Sequence, residues 1–569
     1  MKWGAGEAVI RSLEIEGVQH VFGISGSAIM ELFELLDVSS QLTYVGARHE
    51  DTAVQMAHGY ARASGRMAVT FCQHGAGLTN QVTGFATALR SHTPMLAITA
   101  GTPDAHVGKG DRHEIDQLDV VRPVTKWAAR VPTAARIPEY VQRAFRAALT
   151  APYGPVVLEI PTDLLPSVIE WEPPSRPAAY RASHQAMADP AAIDAVADLF
   201  SRAQRPVMVV GAGGDDAAVW EHLGALSEGE QIALVTTFGH NSAAPPAPLS
   251  LGGLARQGSK AAMRALADAD LVVAVGTRLA SNTTVPFYGF KYWPEDAIVV
   301  QVNSDPDQIG THRPVDIGIA ADAGAFLGAL RARLSTCAEV DRTAWRASLL
   351  AYKEEWAAER FDEAEPPEQG GGKYIKAPAI YRTVGQVLGD DAIFVTDVGS
   401  STAWAFKMID YGQPRGLIYT GAMAGVGFGM PGSLGAKLAR PDRPVVAMIG
   451  DGAFSMTLPA LITAVEHQIP VRIVITDNQA WGAEKGHQKH YYDGHYIGTD
   501  LRNASLVDIA RAIGADAVAV SNVDELAAEL KDEPTSGPKV IVAPADPEDY
   551  PYPSERHGKP TLPQRFYYL

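Results

Sequence analysis

The chain has 569 residues, 46% of them hydrophobic and 20% charged, and 48 Lys and Arg against 65 Asp and Glu give a formal net charge of −17. At roughly 150 residues per domain this predicts three or four folded units and excludes a peptide, a fibre or a disordered tail. The acidic balance opposes non-specific attraction to nucleic acid or to an anionic membrane surface, so any anionic ligand has to be held by local groups.

In chain order, MKWGAGEAVIRSLEIEGVQHVFG reads as an amphipathic helix running into a strand rather than as a cleavable leader, and no long apolar run predicts a membrane span. Cys72 and Cys337 are far apart and lack metal-ligand spacing, which argues against a disulfide framework or a zinc site and for a cytoplasmic location. Runs such as MAVTFC, PMLAIT, PVVLEI, PVMVVGAG, LVVAVGT, AIVVQVN, AIFVTDVG, PVVAMIGDG and VRIVIT read as strands. Helical patterns such as TAVQMAHGYARAS and SLVDIARAIGA fall between them, an alternation that predicts α/β architecture with parallel sheets. Stretches without a clean period, at about 170 to 190 and 362 to 378, read as linkers. They divide the chain into 1–175, 188–350 and 372–545, followed by a tail, 546–569, with five prolines. The tail is read either as an arm on a neighbouring subunit or as a lid, because Phe566, Tyr567, Tyr568 and Leu569 gain by burial.

The strongest local signal is IGDGAFSMTLPALITAVEHQIPVRIVITDNQAWG. Gly450, Asp451 and Gly452 follow one strand pattern and Asp477 and Asn478 end the next, which places both tips at the carboxyl edge of one parallel sheet. A carboxylate and an amide oxygen there form a hard oxygen site suited to Mg²⁺, and the glycines let backbone N–H groups approach a diphosphate. Alone, Gly-Asp-Gly is a common turn.

With Asn478 at this spacing the segment resembles the signature of thiamine diphosphate (ThDP) enzymes, whose usual Asn-Asn is Asp477-Asn478 here. The resemblance implies Asp451, Asn478 and the Ala480 carbonyl as metal ligands, and leaves the hydrogen bonds around Asp477 open. It implies that Glu50, in LTYVGARHEDTAVQ, exchanges a proton with the cofactor's aminopyrimidine; on its own, a Glu opening a helix is more often a charge on the macrodipole. Gly399, Ser400 and Ser401 in DVGSSTAW, with Gly452, Ala453 and Gly482, match cofactor contacts. Val426 in TGAMAGVGFG matches the apolar residue that props the cofactor, although a core role is the alternative. The resemblance spans nearly the whole chain and implies three doubly wound parallel-sheet domains, pyrimidine-binding, middle and diphosphate-binding, in the order of acetolactate synthase and its relatives. It also implies a homodimer at least, commonly a homotetramer, in which Glu50 of one subunit meets Asp451 of another.

Glu484 stands beyond the metal site, where a carboxylate suits general acid/base work; the alternative is a surface pair with Lys485. Trp481-Gly482-Ala483-Glu484-Lys485 is similar to sulfoacetaldehyde acetyltransferase and to actinobacterial 2-hydroxyacyl-CoA lyases. The preferred reading is the lyase, which cleaves a 2-hydroxyacyl-CoA to formyl-CoA and a ketone or aldehyde, because the aromatic tail could close over a large substrate. An acetyltransferase, an acetolactate-type synthase and a catalytically silent scaffold are the alternatives. Ser25, Ser27, His74, Arg112, His113, Gln117 and Leu118 lie on segments that approach substrate in relatives, though a single His is more often structural. In the middle domain the resemblance implies FAD, ADP or nothing. Gly211, Arg278, Asn303 and Asp322 stand where an ADP-binding relative contacts its nucleotide, the glycine turn is only a weak fingerprint, and FAD is disfavoured for want of a dedicated isoalloxazine contact.

Overall fold

The computed structural model describes residues 1–255, 257–284, 291–364 and 374–551. Phe566, Tyr567, Tyr568 and Leu569, and most of the second linker, lie outside the described residues. Three six-stranded sheets, every neighbouring pair parallel, form in succession along the chain. Their central strands, such as Val445–Gly450 and Met95–Gly101, are apolar runs buried along their length, as strands covered by helices on both faces must be.

The first sheet has the spatial order Thr43–Gly46, His20–Gly23, Ala68–Cys72, Met95–Gly101, Pro155–Pro161, Trp127–Arg130. The third has Leu417–Ile418, Ile393–Thr396, Val445–Gly450, Arg472–Asp477, Lys539–Pro544, Asp516–Ala519. Numbered within each domain, both orders are 2-1-3-4-6-5. The middle sheet runs Ser250–Gly253, Ala233–Thr236, Pro206–Val210, Leu271–Val275, Ile298–Asn303, Ile317–Ala320, which is 3-2-1-4-5-6, the order of dinucleotide-binding folds.

The outer two domains share one hydrophobic core, in which Phe22, Val54 and Phe85 of the first continue into Ile393, Phe428 and Val540 of the third. At its centre the helix after the second strand of the first domain, Glu50–Ser64, packs on its counterpart in the third, Gly429–Ala439. Contact is backbone to backbone: a Cβ on Gly59 would fall 2.0 Å from the Gly432 oxygen, and one on Gly435 would fall 1.9 Å from the Met56 oxygen. The helix Glu50–Ser64 is capped by His49, whose Nδ1 accepts from the Asp51 N–H at 3.1 Å, and stops at Gly65 with φ +70°.

The middle domain has its own cores and meets the other two at Asp215. The Asp215 carboxylate accepts from the Arg415 backbone N–H at 3.1 Å and the Ser242 hydroxyl at 3.0 Å, and stands 3.8 Å from the Arg62 guanidinium. One residue from each domain thus converges on a single carboxylate.

Candidate functional site

In the third domain the tips of three adjacent strands carry the polar residues. Thr396 pairs in register with Met448 and Gly450 with Thr476, so the segments that follow, from Asp397, Asp451 and Asp477, emerge side by side. Gly399 turns the chain with φ +82° into the helix Ser400–Met408, and the Ser400 hydroxyl is buried without a hydrogen-bond partner among the described residues. Ser401 is buried and bonds the Tyr381 hydroxyl. Gly482 opens the helix Gly482–Tyr491 against the same corner, where a Cβ would lie 2.6 Å from Asn478 Nδ2 and 3.3 Å from Ser400 Oγ. A side chain at position 482 would therefore have to displace the Asn478 amide, and the same corner holds a hydroxyl that is unsatisfied among the described residues.

Asp451 is 1% exposed. Burial first, and then the neighbouring Asp477, push its carboxyl up to about 7, and burial also raises Asp477. Asn503 Nδ2 donates to Asp451 at 2.6 Å, and Asn478 Oδ1 accepts from the Ala480 N–H at 3.2 Å. Trp481 covers Gly452, where a Cβ would meet its ring at 2.5 Å, and Ala453 is buried behind it. Two carboxylates crowded without a nearby cation, together with an amide and a carbonyl, form an oxygen-only donor set.

The loop Thr420–Phe428 belongs to the same edge. Asp397, 1% exposed, accepts from the N–H groups of Val398 (2.9 Å), Gly427 (3.1 Å) and Gly429 (2.7 Å), tying this loop to the strand tip beside Gly399. Val426 is 39% exposed on it, with Met423 and Met456 also exposed, so Val426 is not a core residue within the chain.

In the first domain Glu50 begins its helix half-buried, and Asn80 Nδ2 donates to its Oε2 at 2.9 Å. Ser25 and Ser27 are exposed on the loop after His20–Gly23, which the Gln73 side chain holds by accepting the Ala28 N–H at 3.1 Å. Both ring nitrogens of His74 are engaged, one with the Arg112 carbonyl at 3.0 Å and the other with Gln73 at 3.2 Å. Since a carbonyl can only accept, the ring is a neutral tautomer with its proton on Nε2, in keeping with a pKa lowered by burial. His113 is exposed at φ +65° with its ring 5.3 Å from that of His74, and Leu118 is partly buried against the shared core. The hydrogen bonds of Glu50 stay within the first domain and those of Asp451 within the third.

Glu484 is exposed in the first turn of Gly482–Tyr491 and makes no hydrogen bond or ion pair among the described residues. Lys485 pairs with Asp500 at 2.8 Å instead. The described start of the tail lies on this helix: Tyr550 packs at Gly486, edge-on to His490 at 5.5 Å and under Lys489 Nζ at 5.0 Å. In the middle domain Asp322 caps the helix Ala323–Leu334 through the Ala325 N–H, and Asn303 Nδ2 donates to the Thr277 carbonyl. Arg278 is half-buried, its pKa lowered by burial and by Arg90. Gly211 and Gly276 press their own strand tips together, a Cβ on Gly211 falling 2.6 Å from the Gly276 oxygen. Packing alone therefore accounts for these two glycines. Asn503, Asp397 and Asn80 escape a motif reading; Asp397 sits inside the recognisable DVGSS stretch, while the other two reach their partners only through the fold.

Three family profiles match the chain: "Thiamine pyrophosphate enzyme, N-terminal TPP binding domain" over residues 4–120, the central domain over 193–330, and the C-terminal TPP binding domain over 397–543. Among curated proteins, the sulfoacetaldehyde acetyltransferase of Rhodobacter capsulatus is 34% identical over 551 residues, 93% of this chain and 92% of that protein. That of Castellaniella defragrans is 32% identical over 540 residues, 92% of this chain and 89% of that protein. The acetolactate synthase large subunit of Corynebacterium glutamicum is 31% identical over 545 residues, 93% of this chain and 85% of that protein.

Proposed function

The chain belongs to the thiamine pyrophosphate enzyme family, and we propose that it is a ThDP- and Mg²⁺-dependent acyl-transferring enzyme acting in the manner of its acetyltransferase relatives, with carbon–carbon lyase or carboligase chemistry as the alternative. The observation that carries the reading is the pocket at the third sheet's edge, with an unsatisfied Ser400 hydroxyl and the crowded carboxylates Asp451 and Asp477. Asp451, Asn478 and the Ala480 carbonyl would hold the cation, whose charge relieves that crowding. Gly399, Ser400, Ser401, Gly452, Ala453 and Gly482 would receive the diphosphate, and Val426 would support the ring system. ThDP, when bound, supplies the electron sink for a carbanion beside a carbonyl. Glu50 would hold and return a proton at the aminopyrimidine, and Glu484, unpaired at a helix N-terminus, would exchange one with the substrate hydroxyl.

We take the enzyme to work as a homodimer or homotetramer, as the family resemblance implies, and the exposed apolar side chains of Met423, Val426 and Met456 in the third domain are consistent with a covered surface there. The described residues contain no helix long and apolar enough to cross a membrane. A nucleotide such as ADP in the middle domain remains a proposal, supported by the sheet order and by Arg278 but not by Asp322, whose carboxylate caps a helix.

The acetyltransferase reading rests on the names of the relatives. A second reading, the 2-hydroxyacyl-CoA lyase, is favoured by one feature: Tyr550, His490 and Lys489 build an aromatic and cationic surface on the helix that carries Glu484. Three parallel assays with ThDP and Mg²⁺ separate the possibilities. Acetyl phosphate and sulfite from sulfoacetaldehyde and phosphate are the expected products, the carbon–sulfur bond being the one broken. Acetolactate from pyruvate moves the assignment to a synthase, and acetone with formyl-CoA from 2-hydroxyisobutyryl-CoA moves it to the lyase. Absence of all three products rejects each of these substrates.

A further inference from the structure

The Glu50 carboxylate has two oxygens in different surroundings. Oε2 accepts from Asn80 Nδ2 at 2.9 Å, whereas Oε1 receives no hydrogen bond among the described residues and faces Gly77, where a Cβ would lie 3.5 Å away. Asn80 closes the short helix Ala76–Thr79, its own N–H bonded to the Ala76 carbonyl at 3.0 Å. That helix starts from Gly75, at φ +66°, whose N–H donates to Gln117 Oε1 at 2.9 Å. Gln117, 4% exposed, donates in turn to the Ala100 carbonyl at 2.9 Å and to Glu159 Oε2 at 2.8 Å, and Glu159 is paired with Arg130. Both N–H groups of the Gln117 amide and its oxygen are used, so the turn carrying Asn80 is fixed from behind by a buried chain.

We infer that Asn80 is a positioning residue that keeps Oε2 of Glu50 as a permanent acceptor and confines the exchangeable proton to Oε1. An amide NH₂ group can only donate, and it bonds a carbonyl-type or carboxylate oxygen more strongly than the hydroxyl oxygen of a carboxylic acid, so the bond from Asn80 to Oε2 favours the proton on Oε1. With Oε2 so engaged the carboxyl plane is held and Oε1 is the oxygen left to exchange. With the cofactor bound, the proton given up at Oε1 would pass to the aminopyrimidine nitrogen and return by the same path, so that the O–H bond lost is matched by the N–H bond gained; Asn80 would neither gain nor lose a proton. This inference rests on the role proposed for Glu50.

The test uses the full-length holoenzyme and three readouts: exchange of the C2 proton of bound ThDP in deuterated buffer, ThDP affinity, and the melting temperature of the apoprotein. In Asn80→Ala the exchange rate is expected to fall about 10- to 100-fold, the loss of one hydrogen bond to a charged group. ThDP affinity should stay within about threefold and the apoprotein melting temperature within about 2 °C, because Asn80 is a surface residue away from the core. Asn80→Asp should lose more, by placing an acceptor against Oε2, and recover part of the rate as the pH falls and the introduced carboxyl regains a proton to donate. Unchanged exchange in Asn80→Ala, or parallel losses of affinity and melting temperature in both variants, overturns the inference. Glu50→Gln separates the two levels. If it exchanges at the wild-type rate, the reading of Glu50 itself fails; if it abolishes exchange while Asn80→Ala does not, only the role of Asn80 falls.

Discussion

The first and third domains share a strand order, 2-1-3-4-6-5, yet present opposite chemistry at the same tips. After the second strand, one offers Glu50 at the head of its helix and the other offers Val426 just before the equivalent helix. After the third, one has the neutral, fully bonded His74 and the other the crowded Asp451. After the fourth, one continues through Gly101 and Thr102 and the other through Asp477 and Asn478. The fold decides where a side chain emerges, and the residue type decides what it does there. On the proposed function, a proton-handling half and a cation-and-anion-binding half would be built on one plan. The middle domain, with another strand order, contributes none of these groups and is joined through Asp215.

That contrast predicts separable defects. Glu50→Gln should lower turnover about 10²- to 10⁴-fold, the range of a lost general acid/base group, while ThDP still binds with near wild-type affinity. Loss of binding in parallel with turnover would mean that the first domain is part of the binding half. Gly59→Ala tests the other side of the comparison, the junction of the two equivalent helices. Its methyl would meet a backbone oxygen at 2.0 Å, and overpacking against backbone should cost about 3 kcal/mol, visible as a melting temperature lowered by several degrees. A variant as stable as wild type would show that the two helices can part. Asp451→Asn should weaken Mg²⁺-dependent ThDP binding at least about 10- to 100-fold, in titrations at fixed Mg²⁺, with the apoprotein as stable as before or more so because one of two crowded carboxylates is gone. Unaltered affinity would remove Asp451 from the cation site.

The fold is legible in the sequence chiefly through its central strands. PVVAMI and PMLAIT are nearly continuous apolar runs because helices cover both their faces, and VRIVIT is one but for Arg472 near its start. The sheet edges Trp127–Arg130, Leu417–Ile418 and Ser250–Gly253 are short or polar and carry no such pattern, since an edge strand has a neighbour on one side only. At the candidate site the Gly-Asp-Gly turn, Asn478 and Glu50 are recognisable because each sits at a fixed spacing from a strand end. Asn503 lies 52 residues from Asp451 and Asn80 lies 30 from Glu50, and the pairing of two polar side chains across the fold leaves no periodic trace. Gly211, read as part of a nucleotide turn, is also required by the close approach of two backbones, and the two roles are compatible.

The smallest effect at neutral pH belongs to His58, at the centre of the helix pair. It is fully buried, its ring 4.9 Å from that of Phe428 across the domain junction, and neither ring nitrogen has a hydrogen-bond partner among the described residues. Burial, reinforced by Arg62 one turn further along, pushes its pKa down to about 3. The folded protein therefore holds this ring neutral while the unfolded chain protonates it below about 6.5. Below that pH the unfolded state binds the extra proton, so stability present at neutral pH is lost as the pH falls towards the folded value, by up to about 1.4 kcal/mol per pH unit. His240, pushed down to about 4 chiefly by burial, acts in the same direction. In His58→Phe an apolar ring replaces unsatisfied polar atoms, and stability near pH 7.5 should change by about 1 kcal/mol or less. The two proteins should then diverge on acidification, the variant's melting temperature falling less steeply between pH 6.5 and pH 4.5 because only the wild type has His58 to protonate. Because His240 is common to both, the difference between the two curves isolates His58. Parallel curves would mean that the ring at the junction is already charged in the folded state, and that the two equivalent helices enclose a cation rather than a neutral side chain.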